Sequence, residues 1–458
     1  MGSWKRTFRV VWLANLVTSI GMMSFIPFFP SLLEEMGVTD PVAQRRWAGV
    51  LFGAAPFGAT IMSPIWGALG DRVGRKLMIC RAMIAIALFV GGMAFASGPW
   101  TLLALRLGQG FFSGFIPPSM TLVTSLVPAD RAGRTTGALT TSLAVGAVIG
   151  PTLGGFLASA FGSRQSVFLF VGAAALFSAV LVALFAQEDP TQRQTIETAG
   201  QPIREAFAGI RRDIAAVLNH GTMRATAILI FTVQFGLGAV NPLLELFVGD
   251  MVKPAGLSHW TAPVLEWGVS VKDGVGSLFG MAPGTSAITP TDVATFATGL
   301  AFGVMAIANL VSLKAWGSYG DRTGHRQALL RCALGCILGL AITIVASSYT
   351  WLLVGRIVMG VAMAGVGPLA FGLAAAEVEG ERRGSAFGAV FSARTMAIAL
   401  GGAIGGYSAS WFGERVAFTL AGLVVVAGWL YFRSTSTSQS PTRTSAVAST
   451  SGKADRSS

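Results

Sequence analysis

Long apolar runs recur along the whole chain, separated by short segments that are rich in glycine, proline or charged residues. A helix of about 20 apolar residues spans the roughly 30 Å hydrocarbon core of a bilayer. The runs do not alternate between apolar and polar positions, so they predict helices, which satisfy their own backbone groups in lipid, and not barrel strands. The pattern predicts twelve membrane-spanning helices, at 9–33, 47–69, 77–97, 100–127, 135–160, 165–186, 224–248, 294–318, 327–346, 350–375, 385–411 and 416–432.

The composition excludes a water-soluble globular protein. Of the 458 residues, 53% are hydrophobic and 12% are charged, whereas a soluble domain carries about 25% charged residues. The formal net charge is +12, but the basic residues are scattered over loops and tails, so a nucleic-acid partner is not expected. The three cysteines lie inside predicted spans, so no disulfide framework, metal site or cofactor is predicted.

Lysine and arginine are unevenly divided between the two sides of the predicted membrane. Outside the spans, 21 lie on the side that holds the N-terminus and 6 lie on the opposite side. Because cytoplasmic loops carry the excess of basic residues, both termini are predicted to be cytoplasmic. We expect a multi-pass protein of the plasma (inner) membrane of a bacterium.

One charged phrase occurs twice in this apolar sequence, as WGALGDRVGRK (66–76) and as WGSYGDRTGHR (316–326), at an offset of 250 residues. Within the phrase, Gly67, Gly70, Asp71, Arg72 and Gly74 recur as Gly317, Gly320, Asp321, Arg322 and Gly324. Beyond it, Arg81 and Arg106 recur as Arg331 and Arg356 at the same offset. In the first span of each half the offset is 215, which indicates an insertion between spans seven and eight. A repeat that keeps its register over several helices predicts two pseudo-symmetric six-helix bundles, related by an axis along the membrane normal.

The repeat divides the chain into four parts. Residues 1–186 are predicted to form an N-terminal six-helix bundle, and 223–432 a C-terminal six-helix bundle that carries an extracytoplasmic insertion at 250–293. The segment 187–222 is predicted to be a cytoplasmic linker, in which the spacing of the apolar positions predicts an amphipathic helix. The tail 433–458 is rich in serine and threonine and is predicted to be disordered.

The phrase GALGDRVGRK resembles motif A of the major facilitator superfamily, and it lies between spans two and three, as in that family. The resemblance implies a gating role, in which an aspartate faces the positive N-terminal end of a helix when the cytoplasmic ends of the bundles meet. The implied contacts are Asp71 with the start of span eleven at Gly384–Ser385, Arg75 with Asp130, and Asp321 with the start of span five at Arg134–Thr135. A basic loop that only sets topology is the alternative, but it does not require an aspartate in both copies. His325 departs from the pattern, where arginine is usual, and weakens any fixed salt bridge there.

Span five carries a second pattern, AVGAVIGPTLGG (144–155). It resembles motif C, which is associated with antiporters of the same superfamily, and it consists of Gly146, Gly150, Pro151, Gly154 and Gly155. The glycines allow a neighbouring helix to approach closely, and the proline removes one helical hydrogen bond. Packing of small residues without an antiporter role is the alternative. The counterpart GGAIGG (401–406) lacks the proline, an asymmetry that is typical of such antiporters.

Two ionisable residues inside predicted spans are candidates for proton coupling. The sequence around Arg106 in span four resembles motif B. A buried arginine has two possible roles: it marks a partner carboxyl or a proton path, or it is a structural anchor that bonds backbone carbonyls. Glu245 is the acid that lies within the apolar run of span seven. Apolar burial favours the neutral form of a carboxyl, which allows its protonation to be coupled to transport. A wetted position at the rim is the alternative for Glu245, because Asp250 lies only about one turn away.

Few polar or adaptable side chains are available inside the spans to contact a substrate. The candidates for a substrate cavity are Asn15, Ser19, Met22, Phe25, Gln109, Phe112, Gln234 and Asn241. Methionine and aromatic walls suit a bulky amphipathic molecule, whereas a sugar needs many hydrogen bonds and an anion needs paired basic residues. Packing within a bundle or against lipid is the alternative for any one of these side chains.

Together these features are similar to the twelve-span drug:proton antiporter branch of the superfamily, which includes bacterial multidrug efflux proteins. The resemblance implies an all-α polytopic membrane protein with the major facilitator fold, which exports amphipathic or hydrophobic small molecules by alternating access in exchange for protons. Its partners would be that substrate, protons and the lipid bilayer, and we expect a monomer. The alternatives are a dedicated exporter or proton symporter of a single metabolite or lipid and, in a different class, a non-transporting receptor or scaffold. The sequence has no P-loop and no evident catalytic pair, so neither an ATP-driven pump nor an enzyme is predicted.

Overall fold

The computed structural model describes residues 3–127, 129–161, 164–188, 221–252, 290–377 and 383–435, together with Pro263. Every element of regular structure in these ranges is a helix. The amphipathic helix predicted for the linker, most of the 250–293 insertion and nearly all of the predicted disordered tail lie outside the described residues. The predicted domain boundaries therefore stay predictions.

All twelve predicted spans are helical. Those of the first half are Ser3–Ser24 continued by Phe29–Glu35, Pro41–Val73, Arg75–Gly92, Pro99–Phe112 with Ile116–Ser125, Ala129–Phe161, and Arg164–Phe185. Those of the second half are Gly221–Val240 continued by Leu244–Met251, Pro290–Thr323, His325–Val345, Tyr349–Glu377, Arg383–Phe412, and Glu414–Ser434. Among the described residues, nine helical segments are long and apolar enough to cross a membrane by themselves. The protein is a multi-pass helical membrane protein, and the predicted fold class is confirmed.

The internal repeat is visible in the backbone. Short 3-10 turns, Ile26–Phe28 and Asn241–Leu243, interrupt spans one and seven at positions that differ by the predicted 215 residues. The turns after spans two and eight both have a residue with positive φ, 118° at Gly74 and 87° at Gly324. Residues with a β-carbon rarely adopt such values, which explains why both copies of the charged phrase keep this glycine.

Span four is helical as predicted, but it is interrupted near its middle, a detail that the predicted range 100–127 does not contain. The first helix ends at Phe112, Ser113 is extended, Gly114 has a φ of 122°, and the second helix begins at Ile116. Two consecutive prolines follow in the first turn of the second helix, and they remove two donors that a continuous helix would use. Span ten, the counterpart in the second half, has a single proline at this level and stays a single helix. The two bundles therefore differ in the middle of equivalent spans.

Each bundle has an apolar core of its own. Phe29 and Phe168 are among the largest fully buried side chains of the first bundle, and Tyr349 and Phe418 are their counterparts in size in the second. Many large apolar side chains on the outside of the bundles are exposed, as expected where lipid is the solvent. Each bundle is therefore packed around its own set of buried apolar residues.

The two bundles contact each other along two seams. Spans two and eleven form the first seam, and spans eight and five form the second seam. We call the end of the bundles that holds Glu35 and Arg45 the predicted outer end, following the orientation predicted from the basic residues. The backbone approaches and polar links described below join the bundles in the half of the molecule nearest that end.

Candidate functional site

The glycines of the antiporter motif pack span five tightly against span one. A β-carbon on Gly146 or Gly154 would overlap Ser19 or Ser24 of span one, and one on Gly150 would collide with the same helix. Without side chains at these positions the two helix backbones come into direct contact, as small residues permit in membrane bundles. The predicted close helix approach is therefore present within the first bundle.

The second half repeats this contact at the predicted offsets. A β-carbon on Gly401 would overlap Phe235 of span seven, and one on Gly405 would lie 2.7 Å from the Cα of Ala239. These positions correspond to the contacts of Gly150 and Gly154, with an offset of 251 in span eleven and 215 in span seven. The packing of small residues is thus common to both halves, and the proline is what distinguishes span five.

Pro151 and Gly155 lie on a different face of span five, at the second seam. A β-carbon on Gly299 of span eight would lie 2.9 Å from the carbonyl oxygen of Pro151, and one on Gly155 would lie 3.7 Å from the carbonyl oxygen of Thr295. The antiporter motif therefore contacts both span one of its own bundle and span eight of the other. Its role in antiport stays a prediction.

Glu245 joins the bundles at the predicted outer end. Its side chain is buried, with 5% relative exposure. One carboxylate oxygen accepts from the Ser31 hydroxyl at 2.7 Å and from the Thr295 hydroxyl at 3.0 Å, and the other accepts from the Ser31 backbone N–H at 3.1 Å. Because Ser31 belongs to span one and Glu245 to span seven, these bonds cross the bundle interface. In this structure Glu245 does not occupy a wetted rim.

A second link across the interface adjoins the first. Arg164, at the start of span six, donates to the Thr295 hydroxyl at 3.1 Å and forms a salt bridge with Glu35 at 2.5 Å. Thr295 therefore accepts from Arg164 and donates to Glu245. These contacts hold spans one and six against spans seven and eight. They run from Glu35 to Arg164, then to Thr295, Glu245 and Ser31.

At the first seam the outer link is an ion pair. Arg45 of span two and Glu414 of span twelve are 2.7 Å apart, with side-chain exposures of 24% and 13%. Beside it, Arg46 donates to the hydroxyl of Ser410 in span eleven at 3.0 Å. The predicted outer end is therefore closed by polar contacts on both seams.

Arg106 is fully enclosed in the first bundle. Its Nε donates to the carbonyl oxygen of Leu51 at 3.1 Å, and its Nη1 donates to the Gln109 side-chain oxygen at 2.6 Å. The guanidinium also lies 5.4 Å and 5.2 Å from the ring centres of Phe25 and Phe29. Within the described residues its hydrogen bonds go to carbonyl and amide oxygens and not to a carboxylate. This geometry supports the anchoring alternative for Arg106, while its part in proton coupling stays a prediction.

Arg356, the repeat of Arg106, is equally buried but differently bonded. Its Nη2 donates to the Asn241 side-chain oxygen at 3.2 Å, and its guanidinium lies 4.9 Å from the ring centre of Phe302. Its Nε is buried without a hydrogen-bond partner among the described residues. Asn241, a predicted cavity residue, is therefore tied to a second intramembrane arginine that sequence reasoning did not assign to the site.

The predicted polar cavity residues are buried and only partly satisfied. Ser119 donates to the Asn15 side-chain oxygen at 3.1 Å, and the Gln109 amide lies 3.3 Å from the sulfur of Met22. In the described part of the chain, Asn15 Nδ2 and Gln234 Oε1 have no hydrogen-bond partner. Buried polar atoms without a partner are costly, so these two atoms are available to bond a guest molecule or water.

Three other candidates have their main contacts inside the first bundle. Ser19 donates to the carbonyl oxygen of Leu143 at 3.3 Å and packs against span five. Phe25 lies against Phe168 of span six, with ring centres 5.2 Å apart. Phe112 stacks on Phe89 of span three, with centres 5.7 Å apart and planes at 14°. Their assignment to a substrate cavity stays a prediction, although their contacts favour the packing alternative.

The gating motif is described in part. The side chains of Asp71, Arg72 and Asp130, and the surroundings of Gly67, lie outside the described residues. In the second copy, Asp321 is 76% exposed and 3.9 Å from the imidazole of His325. The predicted contacts require the opposite ends of the bundles to meet, which differs from the outer contacts seen here, so they stay predictions.

Other positions of the gating motif lie in the described residues. Gly70 packs on Met78, Gly320 packs on Leu369, and Arg322 is exposed. The backbone N–H of Arg75 donates to the carboxylate of Glu188 at 2.5 Å. That acid follows span six and satisfies a donor at the start of span three, where a negative charge is favoured.

Sequence reasoning missed the residues that complete the outer links: Ser31, Thr295, Arg164, Arg45 and Glu414. The repeat contains a signal that points to some of them. At the offset of 250, Arg45 corresponds to Thr295 and Arg164 corresponds to Glu414. The two bonded pairs, Arg45 with Glu414 and Arg164 with Thr295, are therefore equivalent in the repeat. Within the described residues, no group of three or more histidine, cysteine, aspartate or glutamate side chains is placed to hold a metal ion.

Known proteins that are similar to this chain in sequence or in structure include efflux proteins and a transporter. The chain is 29% identical to the multidrug resistance protein MdtG of Proteus mirabilis over 94% of this chain and 97% of that protein. It is 29% identical to the multi-drug resistance efflux pump PmrA of Streptococcus pneumoniae over 72% of this chain and 70% of that protein. The crystal structure of the human organic anion transporter MFSD10 superposes with a TM-score of 0.65 at 16% identity, covering 94% of this chain and all of that one, which shows a shared fold.

The family follows from the sequence profile described as the Major Facilitator Superfamily, which matches residues 11–282 and 275–455. These ranges include both bundles and the two seams between them. The resemblance read from the duplicated charged phrase is thereby confirmed, and the expectation of a transporter instead of an enzyme agrees with it. The chain belongs to the major facilitator superfamily and is a membrane transporter of small molecules.

Proposed function

We propose that this transporter exports amphipathic or hydrophobic small molecules by alternating access, in exchange for protons. The relatives with nearly full coverage are named for multidrug resistance, which supports a drug-like cargo. The single observation that carries the coupling is the buried carboxyl of Glu245, which is bonded across the bundle interface.

The position of Glu245 suits a proton-coupled cycle. When the seams separate at the predicted outer end, the carboxyl meets water and takes up a proton. Closing the seams buries this group, and burying a neutral carboxyl costs much less than burying a carboxylate. Closure of the outer end therefore carries a proton inward. Once the proton is released, the buried carboxylate favours reopening of the outer end, which occurs when a substrate is bound.

The hydrogen bonds of Glu245 keep the closed state accessible after the proton leaves. The three donors from Ser31 and Thr295 compensate part of the desolvation of the carboxylate. The charged neighbours are Arg164, which reaches Thr295, and Glu35, which pairs with Arg164. Asp250 lies further along the helix that carries Glu245 and is exposed. The positive charge of Arg164 is balanced by the negative charge of Glu35. The net charge of the group formed by Glu35, Arg164 and Glu245 therefore depends on whether Glu245 is protonated.

The cargo site in this proposal lies between the buried polar groups of the two bundles. Asn15 and Gln234, from spans one and seven, offer polar atoms that have no hydrogen-bond partner in the described residues. Met22 beside Gln109 supplies an adaptable apolar surface. A few polar groups with adaptable apolar neighbours suit a molecule that has one polar end and a large apolar body.

The orientation is part of the proposal. The excess of basic residues on the side of the N-terminus supports cytoplasmic termini. The bacterial origin of the MdtG and PmrA relatives supports a bacterial inner membrane. We further propose that a single chain is the transporting unit, because the two seams are formed between the two halves of one chain.

The test is transport in proteoliposomes with an imposed pH gradient and a panel of lipophilic cations, neutral drugs and lysolipids. We expect the gradient to drive several of these compounds. Glu245→Gln should lower gradient-driven transport about tenfold or more while leaving exchange without a gradient, because the amide keeps the shape of the side chain and cannot titrate. Asp250→Asn, in the same helix but exposed, is the matched control and should stay within about twofold of the wild type.

The possible outcomes separate the parts of the proposal. Full gradient-driven transport by Glu245→Gln would exclude the coupling role of this residue. Movement of one compound alone would favour a dedicated carrier, and movement of none would contradict the proposed function.

A further inference from the structure

A cavity of about 160 Å³ lies inside the first bundle, away from the outer links and from the polar residues of the proposed cargo site. It is enclosed by spans two, three and four in the half of the membrane opposite the predicted outer end. Its polar lining comes from Ser63, Arg75, Arg81, Ser113 and Thr121. Drug-sized ligands occupy pockets of about 300–1,000 Å³, so this cavity suits a smaller group.

Arg81 is the residue that gives the cavity its chemistry. The central carbon of its guanidinium lies over the ring of Trp66, 3.5 Å from the ring centre. The indole is fixed in turn, because its Nε1 donates to the carbonyl oxygen of Phe111 in span four at 2.6 Å. Stacking uses the face of the guanidinium and leaves its N–H groups free at the edge.

The N–H groups at the edge of this guanidinium have no acceptor within the part of the chain that the structure describes. Nε, Nη1 and Nη2 of Arg81 are all buried and have no hydrogen-bond partner among the described residues. An arginine stays charged under these conditions, and a buried charge without a partner is strongly unfavourable. These three neighbouring donors find no acceptor in the described ranges, which points to an acceptor that is a separate molecule.

The break in span four opens the cavity beside Arg81. Ser113 and Gly114, the residues between the two helices of this span, line the cavity, together with Pro117 and Pro118 of the second helix. Irregular backbone at membrane depth is tolerated where it lines a cavity. The second helix begins here, and the positive end of its dipole favours a negative charge.

The second bundle keeps the same frame without these features. Trp316 donates to the carbonyl oxygen of Val361 at 2.6 Å, as Trp66 does to Phe111. Arg331, the repeat of Arg81, is exposed, and its guanidinium lies 5.2 Å from the ring centre of Tyr319. The tryptophan hydrogen bond is therefore common to both bundles, whereas the buried guanidinium nitrogens of Arg81 and the break in span four are features of the first bundle.

We propose that the cavity binds an oxyanion of the phosphate class, held by the N–H fork of Arg81 over Trp66. Arginine recognises phosphate oxygens through parallel charge-assisted hydrogen bonds. Arg75 adds a second positive charge to the lining. Arg81 follows Arg75 by six residues, about 9 Å along the helix, so the site is close to the headgroup region of the nearer leaflet. The anion is either the phosphate group of an anionic phospholipid or a soluble phosphate.

The test uses the purified full-length protein and two ligand sources. Inorganic phosphate is titrated in detergent, and phosphatidylglycerol is compared with phosphatidylcholine in nanodiscs, with the melting temperature as the readout and native mass spectrometry counting retained lipid. We expect one source to stabilise the wild type, and Arg81→Gln to weaken this binding about tenfold or more. Arg331→Gln, at the equivalent exposed position, is the matched control and should bind like the wild type.

Each outcome decides the proposal. Stabilisation by inorganic phosphate supports a soluble anion, and stabilisation by phosphatidylglycerol alone supports a headgroup. Stabilisation by neither source, or an equal loss in Arg331→Gln, would overturn the site. If Arg81→Gln does not fold, Arg81→Lys keeps the charge and removes the fork, so it should retain the fold and bind several-fold more weakly. Unchanged binding by the lysine variant would also contradict the proposal.

Discussion

The two seams between the bundles occupy equivalent places in the repeat, but their backbones approach to different distances. At the first seam, a β-carbon on Gly53 would overlap the carbonyl oxygen of Ala399. At the equivalent place in the second seam, a β-carbon on Gly303 would lie 3.6 Å from the carbonyl oxygen of Val148. The second seam is close at Gly299, where a β-carbon would lie 2.9 Å from the carbonyl oxygen of Pro151, but the equivalent distance at Gly49 of the first seam is 2.3 Å. The backbones of the first seam are therefore closer together than those of the second.

Two other equivalent pairs show the same difference. A β-carbon on Gly406 would lie 2.5 Å from the carbonyl oxygen of Arg45, whereas one on Gly155 would lie 3.7 Å from that of Thr295. The hydroxyls of Thr60 and Thr395 are hydrogen-bonded across the first seam at 2.8 Å, and the second seam has leucine and alanine at these positions. Pro151 stands in the second seam where the first has a glycine.

The polar links at the outer end divide in the same way. The tight seam ends in a partly exposed ion pair, Arg45–Glu414, and the looser seam ends at Thr295, which leads to the buried Glu245. The titratable group of the proposed cycle is therefore placed where the bundles are held less firmly. We interpret the second seam as the side that separates first and the first seam as the side about which the bundles turn.

The largest effect is expected from adding one carbon to the tight seam. Gly53→Ala places a β-carbon against the backbone of span eleven, where no side chain is available to move aside. We expect closure at the outer end to fail and transport to fall about tenfold or more. Spin labels at Thr39 and Ser347, both exposed at that end, should report a longer distance by electron paramagnetic resonance.

The equivalent substitution in the looser seam is the matched control. Gly303→Ala meets the Thr152 hydroxyl at 3.1 Å, and that side chain can rotate. Transport should stay within about threefold of the wild type. Equal effects of the two alanine variants would remove the distinction between the seams.

A smaller effect is expected from the hydroxyl pair of the first seam. Thr60→Val keeps the shape of the side chain and removes its bond to Thr395, a change of about 0.5–1.5 kcal/mol. The population with the outer end closed should fall relative to the open one, measured with the same spin labels. Thr419→Val is the control, because Thr419 is exposed and its hydroxyl donates to the carbonyl oxygen of Arg415 in its own helix. A shift of the same size in the control would show that the pair does not hold the seam.

The smallest effect is expected from the ion pair. Glu414→Gln removes one charge from a partly exposed pair, which contributes about 0.2–1 kcal/mol. The distance distribution between the labels should change slightly at low salt, and the change should fade at high salt because exposed charges are screened. A salt-independent loss of closure would mean that this pair holds the seam more strongly than its exposure indicates.

The repeat made much of this architecture predictable from sequence. Offsets of 250 and 215 residues located the equivalent turns at Gly74 and Gly324, and they also match the helix contacts of Gly150 and Gly401. Glycine patterns are informative because close backbone approach and positive φ both exclude most other residues. The same offsets pair Arg45 with Thr295, although the change of residue type conceals the equivalence.

The remaining features depend on which neighbour covers a residue, and a single sequence does not specify this. The burial of Glu245 comes from Ser31, more than 200 residues away, and not from its depth in span seven. The break in span four was missed because prolines are tolerated in membrane helices, as Pro151 and Pro368 show inside unbroken ones. The free guanidinium of Arg81 follows from the stacking on Trp66, which spacing alone does not reveal.

In the first seam the helices touch through their backbones, and this restricts which substitutions the seam tolerates. At Gly49, Gly53 and Gly402 there is no side chain to exchange, and any replacement adds atoms where the opposite backbone already lies. We therefore expect mutations that change the range of transported compounds to lie in the looser seam and in the walls between the bundles. The first seam preserves the movement of the protein while selection alters its cargo.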